Sequence, residues 1–452
     1  MHRSLLALAL AAVTAAPAAG QVLPHPLRVE RLENGLTVVI APFDSPGIVA
    51  HYLAVRVGAR DEVDAGHTGF AHFFEHMMFR GTERFPGDAF DRLLQSLGAD
   101  NNAYTSNDHT CYTAVIPTSA LPTLVDAEAD RFMNLAYPLE AFQTEASTIW
   151  GEYLTAVSDP ALRMEEELLS TAFTVHPYGH TVIGWPDDIK AMPGYYEYSL
   201  EFFRRHYTPD NAFLIVAGDV DAEAVLALAR EKYGPWDRRH DAPEVPAEPE
   251  QTEPRSRHID WPGPAPHRIF AAWKAPAFLV DTIDAAAVEV AMELVFGSTS
   301  DLYRRLVVEE RKLLSLDRWP ATERDPSLTV LDARLADGTS FDEIVAAFQE
   351  ALDALAAGTV DAARIEDVKS HVRYALPMSI DTPARLAGWI ARFVAATGDP
   401  LSLEQYVARV GEVTPAEVQR VAGAWLAAAH RTVVTLAPAP VEAAPAEEGG
   451  AP

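Results

Sequence analysis

The pentapeptide His72-Phe73-Phe74-Glu75-His76 decides most of what can be read from this chain. Four residues of helix rise about 6 Å, so the two imidazoles share a face, with the Glu75 carboxylate on the adjoining turn. That arrangement suits a zinc ion. Zinc takes neutral nitrogen ligands about 2 Å away, keeps one position open for water, and works beside a carboxylate that is free to take the water's proton. The order of residues inverts the commoner His-Glu-x-x-His signature without altering the chemistry. With 15 His and 65 acidic residues in 452, chance alone yields about 0.07 such pentapeptides, so the flanking sequence has to support the reading. It does. Phe70, Phe73, Phe74, Met77 and Met78 give the helix an apolar body, and charged or imidazole groups buried in such a segment need partners.

Two histidines do not hold a catalytic zinc, so a third ligand must come from elsewhere. A helix expected over 139–157 carries Glu145 and Glu152, seven apart and therefore on one face. One could ligate while the other orients a histidine ring. Physical chemistry leaves the choice between them open, and leaves Asp108, His109 and Glu128 open as well. A second pair, His176 and His180, has the right count, but Pro177 and Gly179 between them break the helix that would align the rings. It reads as a loop.

Residues 1–20 have the form of a secretory leader: Arg3, an apolar core from Leu5 to Ala12, and small residues Ala18-Ala19-Gly20. The expected location is therefore periplasmic or secreted. No other apolar run reaches membrane-spanning length, and no Cys follows the leader to accept a lipid, so a soluble mature protein is expected. Cys111 is the one cysteine, which excludes a disulfide within the chain, and its apolar setting reads as a small buried hydrophobe. The formal charge of −29 makes nucleic acid and anionic membranes poor partners.

A chain of 452 residues suits two domains. The composition divides it at 237–257, where Pro243, Pro246, Pro249 and Pro254 alternate with acids in a stiff, extended linker. The expected units are a metal-binding domain over 21–236, a domain of like build without metal over 258–436, and a disordered tail over 437–452 rich in Ala, Pro, Glu and Gly. The first half starts with strands after the Asn34-Gly35 turn, runs into helices, and closes on a strand at 213–217 and a helix at 222–232. The second offers a strand at 268–273, helices at 284–296 and 300–312, a strand at 328–335 and a last strand at 432–436. The fold class is α+β: two similar domains, each a largely antiparallel sheet packed with helices.

The run from Thr68 through Gly69, His72, Glu75, His76, Arg80 and Gly81 to Thr82, followed by Asn101-Asn102-Ala103-Tyr104-Thr105-Ser106, resembles the pitrilysin (insulinase) family of zinc peptidases, which includes the mitochondrial processing peptidase. The resemblance implies one Zn2+ per chain, Glu75 as the catalytic base, and Glu152 as third ligand beside His72 and His76, with Glu145 as its support. It further implies that Asn102, Ala103 and the strand at 110–116 line a cleft where a peptide substrate adds to the sheet by main-chain hydrogen bonds. The segment from Gly297 to Leu306 resembles the family more faintly. Its continuation puts Val307 and Leu314 where many relatives carry a substrate-contacting Arg and Tyr. Relatives of this length enclose a chamber as homo- or heterodimers, so the expected protein is an exported zinc endopeptidase, the metal-bearing subunit of a dimer. A non-catalytic scaffold or chaperone-like subunit is the alternative.

Overall fold

The computed structural model describes Leu23, residues 26–358 and residues 361–440. The first sheet holds six strands: β1 (Arg28–Arg31), β2 (Thr37–Pro42), β3 (Ile48–Val55), β4 (Asp100–Thr105), β5 (Thr110–Pro117) and β6 (Ala212–Gly218), in the order β1-β2-β6-β3-β5-β4. The second holds β7 (Arg255–Trp261), β8 (Arg268–Ala275), β9 (Leu313–Trp319), β10 (Ser327–Leu335) and β11 (Arg431–Pro438), in the order β7-β11-β8-β10-β9. Apart from β1 the two are wired alike. The first strand of each set runs parallel to the last, and every other pairing is antiparallel. The expected pair of similar α+β units is thus present, and β9 is the counterpart of β4.

Alternation along the strands sends successive side chains to opposite faces, and both faces of each sheet are covered. On the first sheet Val38, Ile40, Val49, Leu53 and Val216 pack under the helices of their own half. The other face, with Val39, Ala50, Ala54, Cys111 and Ile215, meets Leu386, Ile390 and Val394 of a helix from the second half, Pro383–Thr397. The second sheet repeats the arrangement in reverse. Phe270, Ala272, Val330 and Val434 are covered by Met164, Leu168 and Ala172 of Pro160–Ala172, a helix of the first half. Each half therefore lends a helix to the other's sheet.

A polar seam joins the halves beside these helices. Arg60 donates to Asp325 at 2.6 Å, and His176 Nε2 lies 3.1 Å from the same carboxylate. Asp108 accepts from the Tyr178 hydroxyl at 2.6 Å and from the backbone N–H of Arg324 at 2.8 Å.

The structure departs from sequence expectation at several edges. The helix expected over 300–312 is helical only at Asp301–Tyr303, widens into a π turn over Arg304–Glu309 and ends near Arg311, whose φ of 53° is left-handed. Leu313–Trp319 then forms β9, in which the buried residues, Leu313 and Leu316, stand three apart rather than alternating. β7 begins at Arg255, inside the segment read as linker, because Arg255–Trp261 pairs with β11. β11 extends to Pro438 and takes in Ala437, the first residue of the expected tail. The leader at 1–20 and the tail from 441 onward lie outside the described residues. No described helix is long and apolar enough to cross a membrane.

Two stability measurements follow. Ile390→Ala, at a side chain 1% exposed between the halves, is expected to cost about 2–5 kcal/mol in denaturant unfolding and to lower the stability of both halves together. Burial pushes the Asp325 carboxyl up, but the hydrogen bonds from His176 and Arg60 outweigh it and hold the group below the usual carboxylate range. Its stabilisation is present at neutral pH and is lost as pH falls through that depressed value. Asp325→Asn should cost about 1–2 kcal/mol at pH 7, with the gap from the parent closing below about pH 4.

Candidate metal centre

Helix α1 (Phe70–Met77) is short and almost wholly buried, and its aromatic residues lock its orientation. Phe74 stacks on Phe202 at 5.5 Å, Phe73 meets Phe142 at 5.1 Å, and the Tyr112 hydroxyl donates to the Phe74 carbonyl at 2.9 Å. Gly69 precedes the helix with φ 89°, where a Cβ would lie 2.5 Å from the Ile183 carbonyl oxygen, so the chain passes too close for a capping side chain. Glu62 supplies the cap from a distance, accepting from the N–H groups of Gly69 and Ala71, each at 2.7 Å. Burial nevertheless pushes this carboxyl up to about 8.

A second helix, α2 (Leu139–Ala156), lies against α1 and brings two carboxylates to the paired histidines. Glu152 Oε1 is 3.8 Å from His72 Nε2, and Glu152 Oε2 is 3.5 Å from His76 Nε2. One donor atom from each of His72, His76 and Glu152 lies within 4.8 Å of the others. Donors arranged tetrahedrally around a zinc at 2.0–2.1 Å sit about 3.4 Å apart, so the set fits the ion with little movement. Two turns earlier on α2, Glu145 is 1% exposed. One of its oxygens lies 3.0 Å from His76 Nδ1 and the other accepts from Arg80. With Nδ1 donating to that carboxylate, the Nε2 lone pair of His76 faces the cluster.

Electrostatics suits the same use. Burial, reinforced by His76, pushes His72 down to about 4, which keeps it neutral and able to ligate. The hydrogen bond to Glu145 raises His76. Burial raises Glu145, but His76 and Arg80 outweigh that and hold it low. Burial raises Glu75, opposed by the Thr105 hydroxyl, which donates to Glu75 Oε2 at 2.6 Å. Thr105 ends β4, the terminal strand of its sheet, where Asn102 is exposed and Ala103 is 6% exposed.

Other candidates lie elsewhere. Asp108 is bound to Tyr178 and Arg324, His109 to Ser106, and Glu128 to Arg131. His176 and His180 flank a tight turn at Pro177–Gly179. There His176 engages Asp325, and His180 Nδ1 engages the Thr181 carbonyl at 2.9 Å. Three residues that matter here carry no role in the sequence reading: Thr105 and Arg80, which appear there only within the family-like runs, and Glu62. Arg80 stands four residues beyond His76, in the tighter turn Met78–Arg80 that continues α1. Thr105 and Glu62 carry no comparable local signal.

The profile of the insulinase family (peptidase family M16) matches residues 39–185, and that of the "Peptidase M16 inactive domain" matches 196–372. A probable mitochondrial-processing peptidase subunit beta of Schizosaccharomyces pombe is 26% identical over 403 residues, 86% of this chain and 87% of that one. Zinc protease PqqE of Helicobacter pylori is 24% identical over 414 residues, 90% of this chain and 92% of that one. Among solved structures, a protease from Helicobacter pylori superposes with TM-score 0.83 at 24% identity, covering 91% of this chain and 99% of that one. The periplasmic protease PqqL from Escherichia coli gives 0.75 at 20% identity, covering 93% of this chain and 48% of that one. Fold, donor set and family profiles agree: the chain belongs to the insulinase family, peptidase family M16.

Proposed function

We propose that the protein is an exported zinc-dependent endopeptidase that cuts peptides or unfolded segments within an enclosed chamber, as the metal-bearing subunit of a dimer. The observation that carries this reading is the placement of three ligand-type atoms within 4.8 Å of one another, beside a half-buried carboxylate and an open sheet edge. In this reading 21–236 is the peptidase domain, 258–436 its counterpart without metal, and His72, His76 and Glu152 hold the ion. Zinc, when bound, supplies Lewis acidity to the site.

The chain's own groups do the rest. Main-chain N–H and C=O groups on the outer edge of β4, at Asn102 and Ala103, pair with an extended substrate, so recognition tolerates varied side chains. Glu75 has one oxygen engaged by Thr105, which leaves the other to take a proton from the attacking water and hand it to the leaving amine. Glu145 fixes the His76 ring, and Arg80 holds Glu145. Export is supported by the leader-like residues 1–20, and the periplasmic setting by the likeness to PqqL. A partner subunit is supported by Val307 and Leu314: neither carries a polar group, and Leu314 is 65% exposed on β9.

Glu75→Gln should retain one zinc per chain by metal analysis while cutting kcat by about 10²–10⁴-fold. His72→Ala or His76→Ala should lose both zinc and turnover. Equal turnover in the Gln variant would remove Glu75 from the role of base, and a parent that binds no zinc would return the protein to the scaffold class. For the dimer, sedimentation of active fractions should find the activity with a two-chain species. Full activity in a monomer would contradict it.

A further inference from the structure

On the side of β4 away from α1 lies a cavity of about 500 Å³, bounded by Tyr104, Ser106 and His109 from the first half and by Thr322, Glu323 and Arg392 from the second. Arg392, on the helix Pro383–Thr397, donates to the Thr322 hydroxyl at 2.9 Å, and among the described residues it has no carboxylate in ion-pair range. Of the acids that line the cavity, Asp108 has both oxygens in hydrogen bonds, from Tyr178 and from the Arg324 N–H, and Glu323 has one, Oε2, which accepts from the Thr322 N–H and the Ser327 hydroxyl. His109 adds no second cation, because burial, then Arg392 and Arg56, push it down to about 4. Arg392 therefore brings to the lining of this cavity a guanidinium with no carboxylate partner among the described residues, and it also borders the neighbouring apolar cavity beside Trp389.

The strand geometry says what reaches it. Along β4, Thr105 turns to Glu75 and the metal side, whereas the Tyr104 hydroxyl turns to the opposite side, 3.3 Å from His109 Nε2. A peptide paired with the edge of β4 inherits that alternation, so every second side chain projects toward the cavity. We infer that Arg392 is a specificity-determining residue and that this cavity is a subsite for a carboxylate of the substrate, at positions of one parity along the bound strand. The carboxylate belongs to an Asp or Glu side chain or to the substrate's C-terminus, which offer the guanidinium the same two oxygens. The inference rests on the strand-addition reading above and adds a contribution from the second half, made by a helix other than the segment that carries Val307 and Leu314.

Binding tests it independently of turnover. Fluorescent decapeptides carrying Glu, Gln or Lys at each position in turn, with free or amidated C-termini, are titrated into the zinc-loaded Glu75→Gln protein and read by anisotropy. Glu should bind about tenfold tighter than Gln at alternating positions only. That ratio should fall to about one in a protein that also carries Arg392→Gln, and Arg392→Glu should shift the preference to Lys. Because each variant is compared with itself across peptides, a general loss of affinity does not imitate the effect. A preference confined to the free C-terminus and erased by Arg392→Gln supports the subsite with the chain end as its ligand. Equal affinities for Glu and Gln everywhere, a Glu preference that survives Arg392→Gln, or no peptide binding at all would overturn it. Wild-type protein that binds these peptides but cleaves none strikes at the peptidase reading alone.

Discussion

Glu145 is the carboxylate on which the geometry of the centre depends. It is almost fully buried, which by itself disfavours its charge, yet it accepts one hydrogen bond from His76 Nδ1 and another from Arg80. His76 lies in the last turn of the paired-histidine helix and Arg80 in the tighter turn that follows it, so the carboxylate pins α2 to α1 at a defined register. Glu152 follows two helical turns later on the same face and falls opposite the two Nε2 atoms. A slip of one residue in α2 would rotate Glu152 by about 100° and take it away from the two imidazoles, emptying the position proposed for the third ligand. Buried ion pairs contribute little net stability on average; here the return for burying the charge is position.

The scaffold around this register is stiff because neither sheet keeps a bare face. The helix Pro383–Thr397 closes the first sheet and the helix Pro160–Ala172 closes the second, each drawn from the opposite half. This exchange makes the two halves one packed body in energetic terms even though their strand wiring is duplicated. It also brings second-half residues to the flank of β4 with no further device, which is how Thr322, Glu323 and Arg392 come to stand beside a first-half strand.

Much of the centre was legible from residues alone, for physical reasons that differ from one group to the next. His72, Glu75 and His76 sit on one helix, where spacing is geometry. Glu145 and Glu152 were recognisable as a same-face pair, but which helix they would meet depends on tertiary packing, and only the resemblance chose between them. Thr105 belongs to β4, whose Asp100-Asn101-Asn102 start has low strand propensity, so the partner of Glu75 was hidden along with its strand. β9 carries no strand signature because its buried residues, Leu313 and Leu316, are three apart, a spacing that fits a helix as well as a strand. Glu62 was invisible for a third reason: it caps a helix that begins eight residues downstream, across a turn no local pattern announces.

The duplicated wiring sharpens the contrast between the two edges. β4 and β9 occupy equivalent terminal positions, yet β4 has a helix with imidazoles and a carboxylate against it, while β9 carries exposed Leu314 and Trp319. An open strand edge is a liability that proteins usually blunt with charge, short length or cover. At β4 the edge carries Asp100 and two Asn side chains, polar enough to discourage pairing with another folded sheet while leaving the main chain free for an extended peptide. On the proposed reading, the same feature that makes the edge safe in isolation suits it to an unfolded strand, and the paired-histidine helix packs against β4 beside the place such a strand would take.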